Sequence, residues 1–290
     1  MQAMKLKAHE VALIWGSESW LLSAREDAES RVETGPFAGM GLRELYARQR
    51  QLFGTKCAGR EFPLLVKFID ARDDLSIQVH PRDEDRHVLE PGEAGKTECW
   101  YILEATPGAK LYLGFREEIT QAQFAQAIAD NTLMAHVQAF DVRAGEFFYI
   151  PAGTLHAIGR GVLLAEVQQN SDTTYRVYDY NRLQNGVPRP LHVEQAMAVT
   201  DLAPYSRAQP RGEVLVRNEL FTVSRLGGPS GFSGEVNDDS FVSLVFIEGA
   251  GELTCGGDTI AVHKDDSVFI PAGAGEFQVT GNCIALMTKL

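Results

Sequence analysis

The residues best equipped for chemistry in this 290-residue chain fall in three stretches: Gln78-Val79-His80-Pro81, Lys96-Thr97-Glu98-Cys99-Trp100 and Pro151-Ala152-Gly153-Thr154-Leu155-His156. Gln78 and His80 alternate with Ile77 and Val79, so on a strand both polar side chains leave from one face. Glu98 opens another strand-like run. His156 follows a Pro-Ala-Gly turn that re-aims the chain after the apolar run 147–150. Two imidazoles, a carboxylate and an amide oxygen make a neutral-to-hard donor set suited to a divalent metal such as Zn²⁺. The expectation is that these four side chains converge. Cys99 alternates onto the face opposite Glu98 and reads as core. His9, His87, His136, His192 and His263 lie outside the three stretches and read as non-catalytic. Glu18 is open between a site carboxylate and an ordinary polar turn residue.

The elements that must position these residues read mainly as β. A strand-turn-strand is expected over 11–22 with the turn at Gly16-Ser17, then a short amphipathic helix over 41–52. Strands are expected at 62–70, 75–80, 98–103, 110–115, 137–142 and 147–150, with a polar loop from Pro81 to Gly95. One helix, 121–130, is announced by the capping-box spacing of Thr120 and Gln123 and the staple spacing of Ile119 and Phe124.

An internal repeat organises the chain. The stretch Val142-Arg143-Ala144-Gly145-Glu146-Phe147-Phe148-Tyr149-Ile150-Pro151-Ala152-Gly153 resembles Val262-His263-Lys264-Asp265-Asp266-Ser267-Val268-Phe269-Ile270-Pro271-Ala272-Gly273. Trp100 to Leu103 has a counterpart in Val245 to Glu248, where Gly249-Ala250-Gly251-Glu252 is expected to make a tight turn. Strand, Gly turn, strand, Pro-Ala-Gly, strand is the rhythm of a jelly-roll barrel. The fold expected is therefore mainly β, two jelly-roll barrels with a few short helices. Residues 1–200 form the first domain, 213–290 the second, and Asp201–Gly212 connects them. The second repeat has Glu276 where the first has His156 and nothing equivalent to Gln78-Val79-His80. One barrel is equipped for a metal and the other is left a packing role.

Composition narrows the function class. Hydrophobic residues at 44% and charged residues at 23% are ordinary for a soluble globular protein. A net charge of -12 argues against nonspecific binding to nucleic acid or an acidic membrane surface. No long apolar run or basic-then-apolar leader is present, which reads as soluble and not exported. Cys57, Cys99, Cys255 and Cys283 form no CxxC pair, as expected of a reduced cytoplasmic protein.

With these residues in view, the chain resembles the type I mannose-6-phosphate isomerases of the cupin superfamily. The resemblance is carried by Leu75-Ser76-Ile77-Gln78-Val79-His80-Pro81, Gly95-Lys96-Thr97-Glu98-Cys99-Trp100-Tyr101 and Pro151-Ala152-Gly153-Thr154-Leu155-His156-Ala157-Ile158. Gly16-Ser17-Glu18-Ser19-Trp20, Phe62-Pro63-Leu64-Leu65-Val66-Lys67-Phe68 and Ser171-Asp172-Thr173-Thr174-Tyr175-Arg176-Val177-Tyr178-Asp179 add to it. The length is similar to the shorter bacterial form. The resemblance implies one zinc ion per chain held by Gln78, His80, Glu98 and His156, a catalytic arginine at Arg176, and Lys96 in the substrate pocket. It also implies a degenerate second cupin domain, a phosphosugar substrate and a monomer or homodimer. Ile158 and Pro81 stand where longer relatives carry a tyrosine and a lysine.

The implied reaction moves a proton between C1 and C2 of an open-chain sugar through a cis-enediol, whose negative oxygens a metal would stabilise by several kcal/mol. Arg176 does not deprotonate at working pH and suits charge stabilisation. Lys96 suits phosphate binding or proton transfer. A metal-dependent cupin oxygenase and a sugar-binding or sensing cupin without turnover are the competing readings.

Overall fold

The computed structural model describes residues 1–207, 209–210 and 212–290. The chain divides into two compact units, one formed by Met1–Val11, Ser19–Lys67 and Gln209–Leu290, the other by Ala12–Glu18 and Phe68–Ala208. The N-terminal strand Met4–Lys7 pairs with Ser267–Ile270, Met4 opposite Phe269, which groups the first residues with the last. The linear reading instead draws its boundary between 200 and 213. The connector expected at Asp201–Gly212 contains Ala208 and Arg211, which lie outside the described residues.

In the unit that holds 68–208, two antiparallel sheets face each other. One contains, in order, Phe147–Ile150, Glu98–Ala105 and Val162–Gln169; the other runs Tyr175–Tyr178, Ile77–Val79, His156–Ile158, Lys110–Phe115, Val137–Asp141. Their facing sides share one apolar core, with Trp100, Ile102, Phe148 and Leu164 from the first against Leu111, Leu113 and Ile158 from the second. The other side of the second sheet is apolar too. Ile77, Val79, Ala157, Tyr175 and Val177 pack there with Phe124, Ala127, Ala196 and Val199 of the helices Gln121–Ala129 and Val193–Val199. Alternation does the rest: with these odd-numbered strand positions under the helices, Gln78, His156 and Arg176 are turned toward the first sheet. Burying each large apolar side chain in such a layer contributes about 1.5–3 kcal/mol.

The helix Gln121–Ala129 begins as its sequence dictates. Thr120 Oγ1 accepts from the Gln123 backbone N–H at 3.2 Å, and Gln123 Oε1 accepts from the Thr120 N–H at 2.8 Å. Ile119 and Phe124 both enter the apolar layer.

The other unit carries a sheet built on Val214–Arg217, Thr222–Gly228, Gly275–Lys289, Val242–Cys255, Ser267–Ile270 and Met4–Lys7. The repeat is visible in backbone terms. Phe147–Ile150 pairs with the strand that begins at Glu98, and Ser267–Ile270 pairs with the strand that begins at Val242. Both short strands run into Pro-Ala-Gly, whose glycines have φ of +93° at Gly153 and +71° at Gly273. Each strand order is an open path, so the jelly rolls have edges rather than closed walls.

Two turns differ from expectation. Gly249-Ala250-Gly251-Glu252 does not reverse the chain: Val242–Cys255 is one 14-residue strand, with a register shift between Phe246 and Glu248. The glycines are there for close approach, since a Cβ on Gly249 would lie 1.9 Å from the Asn282 carbonyl oxygen. The turn expected at Gly16-Ser17 falls at Ile14-Trp15, and Gly16 opens the strand Gly16–Leu22. A Cβ there would lie 1.9 Å from the Asp70 carbonyl oxygen. The helix expected over 41–52 is Leu42–Arg48 followed by a 3₁₀ turn, Arg50–Phe53.

Candidate active site

Three of the predicted residues form one row across the second sheet. Arg176 lies directly opposite Gln78, and Gln78 directly opposite His156, in adjacent antiparallel strands. Opposed residues share a face, so the three side chains project together. Glu98, at the start of the strand Glu98–Ala105 in the facing sheet, sits opposite Ile150 and Gln168. His80 lies just past the end of Ile77–Val79, where its carbonyl accepts the Gly153 N–H at 2.8 Å. Gly153 sits at a φ of +93°, which favours glycine, and a Cβ there would also displace the Arg82 guanidinium. That turn delivers the chain to His156.

The ligand atoms of His80, Glu98 and His156 all lie within 4.8 Å of one another, and each side chain is 1% exposed. His80 Nε2 is 3.5 Å from Glu98 Oε2, and His156 Nε2 is 3.5 Å from Glu98 Oε1. Backbone carbonyls fix both rings, Thr173 O at 2.8 Å from His80 Nδ1 and Thr154 O at 2.9 Å from His156 Nδ1. A carbonyl only accepts, so Nδ1 carries the proton in each ring and the Nε2 lone pair faces the cluster. Gln78 Nε2 stands 3.5 Å from His156 Nε2, while its Oε1 accepts from Ser76 Oγ at 3.2 Å. Turned over, the amide still bonds Ser76, as donor, and presents its oxygen to the cluster.

The remaining side chains set the electrostatics. Lys96, 5% exposed, places Nζ against Glu98 Oε2, 3.0 Å from His80 Nε2 and 3.7 Å from Glu166 Oε1. Glu166, 2% exposed, also accepts from Trp100 Nε1 at 2.8 Å. It is the site residue that sequence reasoning did not pick out. Its signal is an acid within the otherwise apolar run Val162-Leu163-Leu164-Ala165-Glu166-Val167. Cys99 falls in the row of Val167 and Tyr149, away from Glu98. Glu18 is buried at 8% but is not one of the clustered ligands. Arg176 stands beyond the cluster, joined to it through Ser76, whose Oγ accepts from Nε at 3.0 Å. Burial, then the neighbouring Arg189, lower its pKa.

Burial pushes the His156 pKa down to about 4, opposed by the Thr154 carbonyl and assisted by Lys96. The imidazole is therefore neutral and ligand-ready at ordinary pH, and a pH response follows for chelator-treated protein. The unfolded chain protonates His156 near pH 6.5, the folded chain only near 4. Stability at this group is complete above about pH 6.5 and falls as the pH drops between the two values. Below about 4 it levels, for a total loss of about 3 kcal/mol. Thermal denaturation from pH 7 to 4 checks this. His156→Gln should flatten the response, and an unchanged slope in that variant would exclude His156 as its cause.

The donors fit a metal. Each imidazole Nε2 stands 3.5 Å from one oxygen of the same carboxylate and the three ligand atoms lie within 4.8 Å of one another, a spacing that can surround one divalent ion. The donor set is two neutral imidazoles and one carboxylate, with both rings held from behind.

Comparison with known proteins gives the chain a family. Residues 15–101 match the family described as phosphomannose isomerase type I, catalytic domain, and residues 214–289 match mannose-6-phosphate isomerase, cupin domain. A mannose-6-phosphate isomerase of Streptococcus mutans is 38% identical, covering 91% of this chain and 85% of that protein. The chain belongs to the mannose-6-phosphate isomerase family. The solved mannose 6-phosphate isomerase of Bacillus subtilis superposes with a TM-score of 0.90 at 31% identity over 100% of both chains. A further mannose 6-phosphate isomerase structure, described as holo and zinc bound, shares the fold with a TM-score of 0.79 at 16% identity over 99% of both chains. The jelly roll expected from the repeat, and the cupin fold implied by the resemblance, are thus the fold of the family, and the chain spans most of its relatives' length.

Proposed function

We propose that this protein interconverts D-mannose 6-phosphate and D-fructose 6-phosphate as an aldose–ketose isomerase, using one Zn²⁺ held by Gln78, His80, Glu98 and His156. One observation carries the reading: a row of Gln78, His156 and Arg176, with His80 at the end of the Gln78 strand, faces the buried Glu98 of the opposite sheet. When bound, the ion supplies Lewis-acid stabilisation of negative charge on the sugar oxygens, worth several kcal/mol. Glu98 contributes the negative charge of the donor set, and the two backbone-held imidazoles keep the site rigid. Lys96 Nζ, between Glu98 and Glu166, carries exchangeable protons beside the ligand atoms and is assigned to proton handling. Arg176 supplies a permanent positive charge on the same sheet face as Gln78, suited to the enediolate.

The catalytic role is assigned to residues 1–200, and a packing role to 213–290 as a degenerate cupin domain. Among the described residues no helix is long and apolar enough to cross a membrane, and all four cysteines are buried and unpaired. The unpaired cysteines support a reducing compartment, and the proposal places the enzyme in the cytoplasm within carbohydrate metabolism, as a monomer or homodimer with no nucleic-acid or membrane partner. The test is a coupled assay for fructose 6-phosphate formed from mannose 6-phosphate, before and after chelation and with Zn²⁺ restored. Activity should vanish with chelator and return with metal. A folded, zinc-loaded sample without turnover overturns the assignment.

A further inference from the structure

Between Asp179 and His192 the chain makes an excursion that the proposed chemistry does not use. Its tip is a two-stranded hairpin, Leu183–Gln184 paired with Val187–Pro188, closed by Asn185-Gly186 with φ of +54° and +82°. That is the geometry of a two-residue type I′ turn. Leu183 is 59% and Val187 63% exposed, so no apolar packing of these side chains holds the hairpin, and an isolated two-stranded ribbon is marginal in water.

What holds it is one carboxylate at its base. Asp179, 6% exposed, accepts from Arg182 Nη2 at 2.6 Å, Arg189 Nε at 2.7 Å and Arg189 Nη2 at 2.6 Å. Arg182 immediately precedes the hairpin and Arg189 immediately follows it, so Asp179 ties its two ends together. The Arg189 contact uses both carboxylate oxygens, the stronger form of such a pair. Arg182 reaches on to the Asp74 carbonyl and to Asp73, ahead of Ser76. The residue after Arg189 touches the site: the Pro190 carbonyl accepts from Arg176 Nη1 at 3.2 Å, while Arg176 Nε donates to Ser76 Oγ. His192 closes the frame, its N–H donating to the Arg176 carbonyl at 2.8 Å.

We infer that Asp179 is a positioning residue for Arg176: by clamping Arg182 and Arg189 it fixes the Pro190 carbonyl, and that carbonyl with Ser76 aims the Arg176 guanidinium at the substrate. Without the carboxylate, two largely buried guanidiniums lose their shared counter-charge beside a third, and the segment that carries Pro190 loses its anchor. The inference rests on the role given to Arg176 above.

The test is a double-mutant cycle of Asp179→Asn and Arg176→Ala in the zinc-loaded, full-length protein. Displacing a positioned group by about 1 Å costs on the order of 100-fold in rate, so Asp179→Asn should lower kcat by about 10- to 100-fold and leave KM nearly unchanged. In the Arg176→Ala background the same substitution should cost almost nothing more, because it acts through a group already gone. Full additivity overturns the inference, and so does a loss confined to KM, which would make the cluster a binding site. A second readout needs no turnover. The Arg176 Nε–H resonance, assigned by its absence in Arg176→Ala, should shift or broaden in Asp179→Asn; an unchanged resonance overturns the positioning role even if the isomerase assignment fails. Should Asp179→Asn not fold, Arg189→Gln removes the bidentate half of the clamp and must reproduce both effects.

Discussion

Protein carrying Glu98→Gln is expected to purify without zinc and to turn over mannose 6-phosphate at less than about one-thousandth of the parent rate. Glu98 is the only carboxylate among the three clustered ligands, and its two oxygens lie 3.5 Å from His80 Nε2 and His156 Nε2 respectively. Gln keeps the shape and removes the charge. A metal's contribution of about 4 kcal/mol, at 1.36 kcal/mol per tenfold in rate, gives the thousandfold loss. The substitution also strips Lys96 of its nearest counter-charge, leaving Glu166 at 3.7 Å. Breaking a buried pair costs about 3–5 kcal/mol, so the metal-free variant should melt earlier than the chelated parent. Adding Lys96→Met should recover stability without recovering zinc, which separates the two effects. Metal content by mass spectrometry and thermal denaturation read them independently. A Glu98→Gln protein with a full zinc complement would remove Glu98 from the metal site.

What the sequence made legible was whatever depends on neighbours along the chain. The strands Lys110–Phe115 and Phe147–Ile150 fall where apolar runs end at turn residues, and Thr120 with Gln123 announces its helix by capping. The face from which Gln78 leaves was legible because of the alternation in Ile77-Gln78-Val79, whereas Arg176 and Lys96 gained their roles only through the resemblance. Long-range pairing left no such trace. Nothing local in Met4–Lys7 says that it pairs with Ser267–Ile270, and a Gly-Ala-Gly that looks like a turn serves close contact inside a long strand. The helix Val193–Val199 is seven residues long with no side-chain cap, so its sequence lacks a start signal. Glu166 and Asp179 escaped for a related reason. A buried carboxylate becomes meaningful only through the Lys96 or the arginines that the fold brings to it.

Arg176→Ala is the complementary experiment, with zinc expected to stay and turnover to go. Arg176 donates to Ser76 and Pro190 and is not one of the clustered ligands, so its removal leaves the cluster intact. Its guanidinium stays charged at any working pH, and it projects from the sheet face that carries Gln78 and His156. A preorganised donor aimed at developing negative charge is worth about 100- to 1,000-fold in kcat, which is the loss expected, with a smaller change in KM. Arg176→Lys should recover only part of it, because a lysine keeps the charge but not the planar fork that bonds Ser76 and Pro190 together. Zinc content and steady-state kinetics on one preparation decide the matter. A near-normal kcat in Arg176→Ala would remove the arginine from the mechanism. Zinc lost along with the rate would mean instead that Arg176, through Ser76 and Gln78, helps to hold the metal.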